Sequence, residues 1–215
     1  MTINFDIYKA VVFDFDGTLY APAKFGLTLV LADIQNALKA KKERKARKLL
    51  AGTDFGNSNS FYNKFFSILG EKNRDWYFNR YLPLMVAILE KKFTARPNAQ
   101  QFIDKLKTKN IKVAVLSDYP MVSERVSAIG LCIDTKLMWS TENMGALKPS
   151  ARPFIEVANK LGIKTSEMLI IGDRPDTDGL GARNAGCDCI IVETKKNKSY
   201  SDFNVMNWAD IVQSI

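Results

Sequence analysis

Short apolar runs alternate with amphipathic segments along most of the chain. The apolar runs predict buried β-strands at 9–15, 112–118, 168–173 and 187–193. Segments whose apolar residues recur at helical spacing predict α-helices at 98–110, 120–130, 151–162, 177–186 and 205–215. Because strands that alternate with helices form parallel sheets, this order predicts an α/β fold, with a Rossmann-like parallel sheet core and helices on both faces.

Residues 21–92 follow a different pattern, without a predicted strand. Helical spacing covers 23–50, 60–70 and 74–92, and the polar stretch 52–60 is the predicted loop. Aromatic residues are frequent between 61 and 81, and we expect them to pack as the core of a small helical unit; stacking on a ligand is the alternative. We therefore expect a core domain of residues 1–20 and 93–215, with a small α-helical cap domain inserted at 21–92.

Composition favours a globular protein that works away from membranes. Of the 215 residues, 47% are hydrophobic and 25% are charged, and no apolar run approaches the ~20 residues needed to cross a bilayer. The first residues lack the features of a signal peptide. Three cysteines, an odd number, show no metal-site spacing and fit a reduced setting. We expect a cytoplasmic protein, either a monomer or a homodimer, without a membrane partner.

The positive charge of the chain is concentrated in one segment. The net charge is +8, and residues 21–92 carry 14 of the Lys and Arg residues but only six of the acids, so this segment holds the entire excess. The run "KAKKERKARK" at 39–48 fits a solvated helix face or a surface that attracts anionic substrates. A nucleic-acid partner is not expected. Because the chain has no histidine, carboxylates, lysines, hydroxyls or thiols must supply any catalysis.

Polar residues follow three of the predicted strands at the point where each strand ends. Asp14 ends the first apolar run, Ser117 ends the second and Asp173 ends the third. Ligands of open parallel sheets bind at the carboxyl ends of the strands, so these three side chains predict one site. Asp16 follows Asp14 by two positions, and Gly17 begins a turn that carries the two carboxylates in different directions.

Four short motifs, in order, resemble the signatures of the haloacid dehalogenase superfamily, whose members are mostly phosphohydrolases. They are "DFDGT" at 14–18, Ser117 after "VAVL", Lys148 in "GALKP", and "GDRPDTD" at 172–178. The segment 21–92 lies where many members insert a helical cap. The resemblance implies a Mg²⁺-dependent phosphatase that acts on a small phosphorylated metabolite, a phosphate monoester, through an aspartyl-phosphate intermediate. Dehalogenases of the family carry a tyrosine where this chain has Asp16.

The resemblance also implies a role for each motif residue. Asp14 is the expected nucleophile, and Asp16 the acid that protonates the leaving alcohol and then activates water. Lys148 is expected to neutralise the nucleophile and the phosphate. The phosphate is expected to contact Ser117 and Lys148 together with the loops at Gly17, Thr18 and Asp118. The Mg²⁺ ligands are expected from Asp14, the backbone carbonyl of Asp16, Asp173 and Asp178, the last directly or through water.

Several interpretations stay open at this point. A sugar-phosphate mutase would share the aspartyl-phosphate, a phosphonate hydrolase would use a cap lysine, and a non-catalytic binding protein would keep only the fold. We expect Tyr20 at the entrance of the site, and Arg174 and Asn143 either at the substrate or in structural roles. Cys187 and Cys189 are expected to pack in the core rather than to react.

Overall fold

The computed structural model describes residues 3–195, 197–198 and 202–215. Six strands form one sheet in the order β3-β2-β1-β4-β5-β6, and every neighbouring pair is parallel. The strands are β1 (Ala10–Phe13), β2 (Lys112–Ser117), β3 (Met138–Ser140), β4 (Met168–Gly172), β5 (Asp188–Val192) and β6 (Asn204–Met206). This arrangement confirms the predicted α/β fold with a parallel sheet.

The register of the central strands brings the predicted site together. Phe13 of β1 is level with Val115 of β2 and with Ile171 of β4. The polar residues that follow these strands therefore emerge at one edge of the sheet, as predicted. All four residues of β1 and all five of β4 are buried, because both faces of the sheet are covered.

Two strands were not predicted, and one predicted helix is partly wrong. β3 and β6 lie at the two edges of the sheet and have three residues each. A strand of three residues is too short to show a recognisable pattern of apolar and polar positions. The predicted helix 205–215 overlaps β6 at its start, and only Trp208–Gln213 is helical. In the sequence, the short apolar pair Val205 and Met206 is compatible with either a strand or a helix. In the structure, these residues pair with β5 and are therefore part of a strand.

Residues 21–92 form a segment whose regular elements are all helical. Its helices are α1 (Phe25–Ala32), α2 (Ala37–Leu50), α3 (Ser58–Leu69), α4 (Arg74–Trp76) and α5 (Leu82–Lys92), with a π-turn at Tyr77–Tyr81. The single helix predicted at 23–50 is broken at Asp33, whose carboxylate accepts hydrogen bonds from Asn36, Trp76 and Arg80. The backbone of Asp33 is not helical, with a φ of −138° and a ψ of 56°.

The remaining helices cover the sheet. They are α6 (Ala99–Thr108), α7 (Val122–Ala128), α8 (Thr141–Met144), α9 (Arg152–Leu161), α10 (Leu180–Ala185) and α11 (Trp208–Gln213). Short 3₁₀ turns occupy Phe5–Ile7, Ile34–Asn36, Glu71–Asn73, Thr135–Leu137 and Thr165–Glu167, and a further π-turn spans Pro175–Gly179. Among the described residues, no helix combines the length and apolar character that a membrane crossing requires.

The aromatic residues of 61–81 pack against one another, as predicted. Phe61, Phe65 and Phe66 of α3 are fully buried, and Phe65 and Phe66 contact Tyr77. The same hydrophobic cluster continues into the sheet through residues such as Phe13 of β1. The division into a core domain and a cap domain stays a prediction, and we use "cap" for residues 21–92.

A loop of the cap is hydrogen-bonded to the loop that carries Lys148. The Phe55 N–H donates to the carbonyl of Gly145 at 2.8 Å, and the Gly52 N–H donates to the carbonyl of Lys148 at 3.2 Å. Gly145 has a φ of +77°, and a Cβ there would lie 2.2 Å from the backbone of Asn57. The cap loop therefore approaches the core so closely that only glycine fits at this position.

Candidate active site

The loop after β1 places Asp14 against a second acidic loop. Gly17 has a φ of +90°, and a Cβ at this position would lie 2.2 Å from Oδ2 of Asp173. A residue with a side chain would therefore push the two loops apart. The Thr18 hydroxyl, which is fully buried, donates a hydrogen bond to Oδ2 of Asp14 at 3.2 Å. Arg96 holds the same loop by donating to the carbonyls of Gly17 and Thr18 at 2.7 and 2.8 Å.

Lys148 joins the first and fourth motifs. Its Nζ donates to Oδ1 of Asp14 at 2.7 Å and to Oδ1 of Asp178 at 2.8 Å, and the residue is only 2% exposed. Burial lowers the pKa of Lys148, but the attraction of Asp14 and Asp178 outweighs burial and raises it above its ordinary value. Lys148 therefore stays charged, and it compensates carboxylates rather than acting as a base.

Three carboxylates converge beside this lysine. One oxygen from each of Asp14, Asp173 and Asp178 lies within 4.8 Å of the other two. Burial, followed by repulsion from Asp178, raises the pKa of Asp14 well above its ordinary value, even though Lys148 lowers it. The same two causes raise the pKa of Asp173 to about 7. The cluster therefore holds more negative charge than Lys148 alone can balance.

The cluster also has an unused oxygen. Oδ1 of Asp173 is buried and has no hydrogen-bond partner in the part of the chain that the structure describes. Oδ2 of Asp178, in contrast, accepts from the Arg174 N–H at 3.1 Å. A buried carboxylate oxygen without a donor is unfavourable unless a cation satisfies it. The cluster therefore has the donor atoms, the charge and the unsatisfied oxygen that a hard divalent cation requires.

Asp16 points away from this cluster. Its Oδ1 accepts from the Tyr20 hydroxyl at 2.6 Å, and its Oδ2 accepts from Nη2 of Arg125 at 2.5 Å. Nη1 of Arg125 donates to the Ser117 hydroxyl oxygen at 2.9 Å, so one buried guanidinium joins the first and second motifs. The two carboxylates of "DFD" therefore lie in different surroundings: Asp14 faces Lys148, and Asp16 faces Arg125.

The carboxylate of Asp118 orders the neighbouring loops. Its Oδ1 accepts from the Thr141 hydroxyl at 2.6 Å and from the Lys148 N–H at 3.3 Å. The Ser117 hydroxyl oxygen accepts from the Tyr119 N–H at 3.3 Å as well as from Arg125. Because both of these contacts use the oxygen as acceptor, the hydroxyl hydrogen of Ser117 is left to donate to a further group.

A cavity of about 660 Å³ opens between these loops and the cap. The core lines it with Asp118, Tyr119, Leu147, Lys148, Pro149, Arg174, Asp176 and Thr177, and the cap lines it with Arg44, Arg47, Lys48 and Ala51. The sequence left open whether the basic helix of the cap faces the site. The structure shows that one face of α2 does.

Comparison with known proteins identifies the family. The model of the haloacid dehalogenase-like hydrolases matches residues 8–186. The chain belongs to this family. It is 26% identical over 216 residues to the glyceraldehyde 3-phosphate phosphatase of Methanothermobacter thermautotrophicus, an alignment that covers 94% of this chain and 93% of that protein. It is 24% identical over 233 residues to the phosphoglycolate phosphatase of Yersinia pseudotuberculosis, covering 99% of this chain and 95% of that protein.

A solved structure shares the fold of this haloacid dehalogenase-like hydrolase. The crystal structure of a phosphatase of the family from Thermococcus onnurineus superposes with a TM-score of 0.62 at 19% identity, covering 95% of this chain and 96% of that chain. The family match and this likeness agree with the parallel sheet and with the four motifs. The chain is therefore an enzyme of the hydrolase class.

The structure brings together most of the residues that the motifs predicted in this hydrolase. Asp14, Lys148, Asp173 and Asp178 form one ionic cluster. Their roles in catalysis and in metal binding stay predictions, as do the phosphate contacts of Ser117, Asp118, Gly17 and Thr18.

The structure bears on the expectations for four single residues. Tyr20 is fully buried and holds Asp16, so its predicted place at the entrance was wrong. Arg174 lines the cavity and is paired with Asp176, so its contact with substrate stays a prediction. Asn143 is exposed and accepts from the Tyr62 hydroxyl at 3.2 Å, which favours its structural role. Burial raises the pKa of Cys187 to about 12, which agrees with the predicted packing role.

Arg125 and Arg96 hold the loop of the first motif, and neither was predicted from the sequence. Arg125 is 1% exposed and stacks 4.5 Å from the centre of the Phe15 ring. A signal was present, because helical spacing places Arg125 on the same face as Val122 and as Ile129, which follows the end of α7, and this face is otherwise apolar. A lone arginine on such a face needs a buried acidic partner. The sequence offered no comparable signal for Arg96.

Proposed function

We propose that this hydrolase is a Mg²⁺-dependent phosphatase that acts on a small phosphate monoester through an aspartyl-phosphate on Asp14. The proposal rests chiefly on one observation: Asp14 and Asp16, which are only two positions apart in sequence, lie in different surroundings in the structure. Asp14 contacts Lys148 at 2.7 Å within the acidic cluster, whereas Asp16 is held outside the cluster by Tyr20 and Arg125. A nucleophile and an acid–base group need such different surroundings.

In the first step, one oxygen of Asp14 attacks phosphorus, and the bond from phosphorus to the leaving alcohol breaks. Protonated Asp16 gives its proton to the alcohol oxygen as this bond breaks. The resulting Asp16 carboxylate then takes a proton from water, and that water oxygen attacks the phosphorus of the aspartyl-phosphate. The bond to Asp14 breaks, which releases inorganic phosphate and restores both carboxyl groups to their starting forms.

The charge of the cluster supports a divalent cation. With all groups ionised, three carboxylates face the single positive charge of Lys148, which leaves two negative charges. Asp14, Asp173 and the backbone carbonyl of Asp16 would hold Mg²⁺, and Asp178 would bind it directly or through water. When bound, Mg²⁺ would neutralise and align the substrate phosphate. Its charge would also keep Asp14 ionised, against the burial and repulsion that raise its pKa.

The phosphate would lie between the first three motifs. The unused hydroxyl hydrogen of Ser117 would donate to one phosphate oxygen, and Lys148 would contact another. The loop N–H groups at Gly17, Thr18 and Asp118 are the remaining proposed donors. Fixed donors of this kind stabilise a transferring phosphoryl group because they need no rearrangement during the reaction.

The named relatives support small metabolites as substrates. Two of them are phosphatases of glyceraldehyde 3-phosphate and of phosphoglycolate. A cavity of about 660 Å³ has the size of a small-molecule site. The substrate of this chain, its location in the cytoplasm and its state as a monomer or homodimer stay predictions.

The test is release of inorganic phosphate from a panel of monoesters, with Mg²⁺ and with EDTA. The panel contains p-nitrophenyl phosphate, sugar phosphates, phosphoglycolate, glyceraldehyde 3-phosphate and nucleotides. We expect Mg²⁺-dependent release that Asp14→Asn abolishes while the circular dichroism spectrum stays unchanged. Turnover by Asp14→Asn at the wild-type rate would exclude the covalent mechanism. If folded wild-type protein releases no phosphate from any compound of the panel, the result would favour a mutase, a phosphonate hydrolase or a binding protein.

A further inference from the structure

We propose that helix α2 of the cap binds a second anionic group of the substrate, a carboxylate or a second phosphate, across the cavity from the phosphate that is transferred. The inference rests on the proposed function, because it needs the phosphate bound beside Lys148. It is carried by Arg44 and Lys48, which both line the cavity. Neither has an acidic partner in the part of the chain that the structure describes.

The cations around the cavity divide into two groups. Lys148 is bound to Asp14 and Asp178, and Arg174 is paired with Asp176 at 2.5 Å. Arg47 is paired with Glu43 and Glu142. These three are therefore neutralised by neighbours within the protein. Arg44 and Lys48 remain as the lining cations whose charge is not matched within the described residues.

The acids of the cavity do not neutralise these two residues. Only Asp118 and Asp176 contribute acidic side chains to its described lining. The Asp118 carboxylate interacts with Lys148 and Arg47 and raises the pKa of both, and Asp176 is paired with Arg174. A cavity wall with unmatched positive charge attracts anions, and the closeness of low-dielectric walls strengthens the attraction.

Arg44 and Lys48 act from one fixed surface. They are four residues apart on α2, so their side chains leave the same face on successive turns. Between them, Arg47 anchors the helix: its guanidinium lies 3.5 Å from the centre of the Tyr119 ring and pairs with Glu142 of α8. Glu43 and Glu142 are fully buried. The helix is therefore held in place over the cavity before any substrate binds, which lowers the entropy lost on binding.

The residue types indicate which group is recognised. Arginine presents a planar fork that matches the two oxygens of a carboxylate or of a phosphate, and lysine adds a mobile point charge. The transferred phosphate is already assigned to Lys148 and the motif loops, so this second pair of cations suits a separate anion on the same small molecule. We infer a substrate such as a phosphorylated carboxylic acid or a bisphosphate, rather than the phosphate monoester of a sugar or aldehyde that carries no second charged group.

The first test compares two substrates that differ in one group. 3-Phosphoglycerate carries a carboxylate where glycerol 3-phosphate carries a hydroxymethyl group. We expect wild-type kcat/KM to be at least about tenfold higher for 3-phosphoglycerate, a difference of about 1.4 kcal/mol. The double variant Arg44→Gln/Lys48→Gln should lose most of this preference, mainly through a higher KM for the carboxylate substrate.

Matched controls come from the same helix. Lys41 and Lys45 are exposed residues of α2 that do not line the cavity. The variant Lys41→Gln/Lys45→Gln removes the same amount of charge and should keep the wild-type preference. Equal loss of preference in both double variants would show a general effect of net charge and would overturn the proposal. A wild-type enzyme without preference for the carboxylate would overturn it as well.

A binding measurement tests the subsite independently of turnover. Calorimetric titration of the wild-type protein, with Mg²⁺ present, compares phosphonoacetate with ethylphosphonate, which lacks the carboxylate. We expect phosphonoacetate to bind at least about tenfold more tightly, and the Arg44→Gln/Lys48→Gln variant to lose this difference. Equal affinities would refute the subsite even if the enzyme is an active phosphatase. A clear difference in a protein that hydrolyses no monoester would keep the subsite and refute the proposed function.

Discussion

Replacement of Asp173 by asparagine should stabilise the metal-free protein. The carboxylate lies in the acidic cluster, its Oδ1 has no partner within the described residues, and its pKa is raised from 3.8 to about 7 by burial and by Asp178. In the folded state this group binds its proton more tightly than in the unfolded chain. The ionised form therefore destabilises the fold, and an uncharged amide of the same shape removes the destabilisation.

The size of the effect follows from the two pKa values. The destabilisation is absent below pH 3.8, increases as the pH rises towards about 7, and is complete above that. A tenfold change in proton affinity is worth about 1.4 kcal/mol, so the ceiling is about 4 kcal/mol at pH 8 and less than half of that at pH 5. The wild-type protein should lose stability over this range of pH, and Asp173→Asn should lose less, with the buried Asp14 carboxylate accounting for part of what remains.

The assay is urea unfolding followed by tryptophan fluorescence, in EDTA at pH 5 and pH 8. A matched control is Asp104→Asn, which removes an exposed carboxylate of α6 and should change the free energy of unfolding by no more than about 0.5 kcal/mol. Addition of Mg²⁺ should stabilise the wild-type protein, by about 2.7 kcal/mol at a hundred times the dissociation constant. It should stabilise Asp173→Asn far less. Metal-free Asp173→Asn that is no more stable than wild type at pH 8 would refute the reasoning.

Other predictions concern the residues that hold the two catalytic carboxylates. Arg125→Met should lower kcat/KM for an alkyl phosphate by roughly tenfold more than for p-nitrophenyl phosphate, because only the alkyl leaving group needs the proton of Asp16. Arg125→Lys should recover part of this loss. Equal losses of kcat/KM for both esters would indicate a purely structural role for Arg125. Tyr20→Phe removes one hydrogen bond to Asp16 and should also lower kcat/KM more for the alkyl phosphate than for p-nitrophenyl phosphate. The difference between the two losses should correspond to about 0.5–1.5 kcal/mol of activation free energy. Equal kcat/KM losses for the two esters in steady-state kinetics would contradict this. Gly17→Ala should reduce the increase in Tm that Mg²⁺ causes, because the new Cβ would overlap Asp173 and an alanine is strained at a φ of +90°. An increase in Tm as large as that of the wild-type protein would contradict the close approach of the two loops.

The central strands and the motifs at their ends were predictable from the sequence. β1, β2 and β4 have apolar runs of at least four residues; Ser117 ends β2, and Asp14 and Asp173 come directly after β1 and β4. Burial on both faces leaves a continuous apolar run, which the sequence displays directly. Parallel pairing then determines that the ends of these strands meet, without any knowledge of side-chain contacts.

The missed features depend on contacts between distant parts of the chain. The break of the cap helix at Asp33 needs Trp76 and Arg80, which lie more than 40 residues away. The clamp on Asp16 needs Arg125, which is 109 positions away. Local spacing contains no information about such partners. It can only indicate that a charged residue on an apolar face, such as Arg125, must have one.

The unmatched charges of the site have opposite signs on its two sides. With its three carboxylates ionised, the acidic cluster holds two more negative charges than Lys148 balances, and it includes a buried oxygen that has no donor among the described residues. The cap side presents Arg44 and Lys48 without acidic partners among the described residues. A divalent cation would satisfy the first side, and an anion would satisfy the second. A magnesium-bound phosphate monoester that carries another anionic group supplies both, so one ligand can account for the acidic cluster beside Lys148 and for the two cations on the cap side of the cavity.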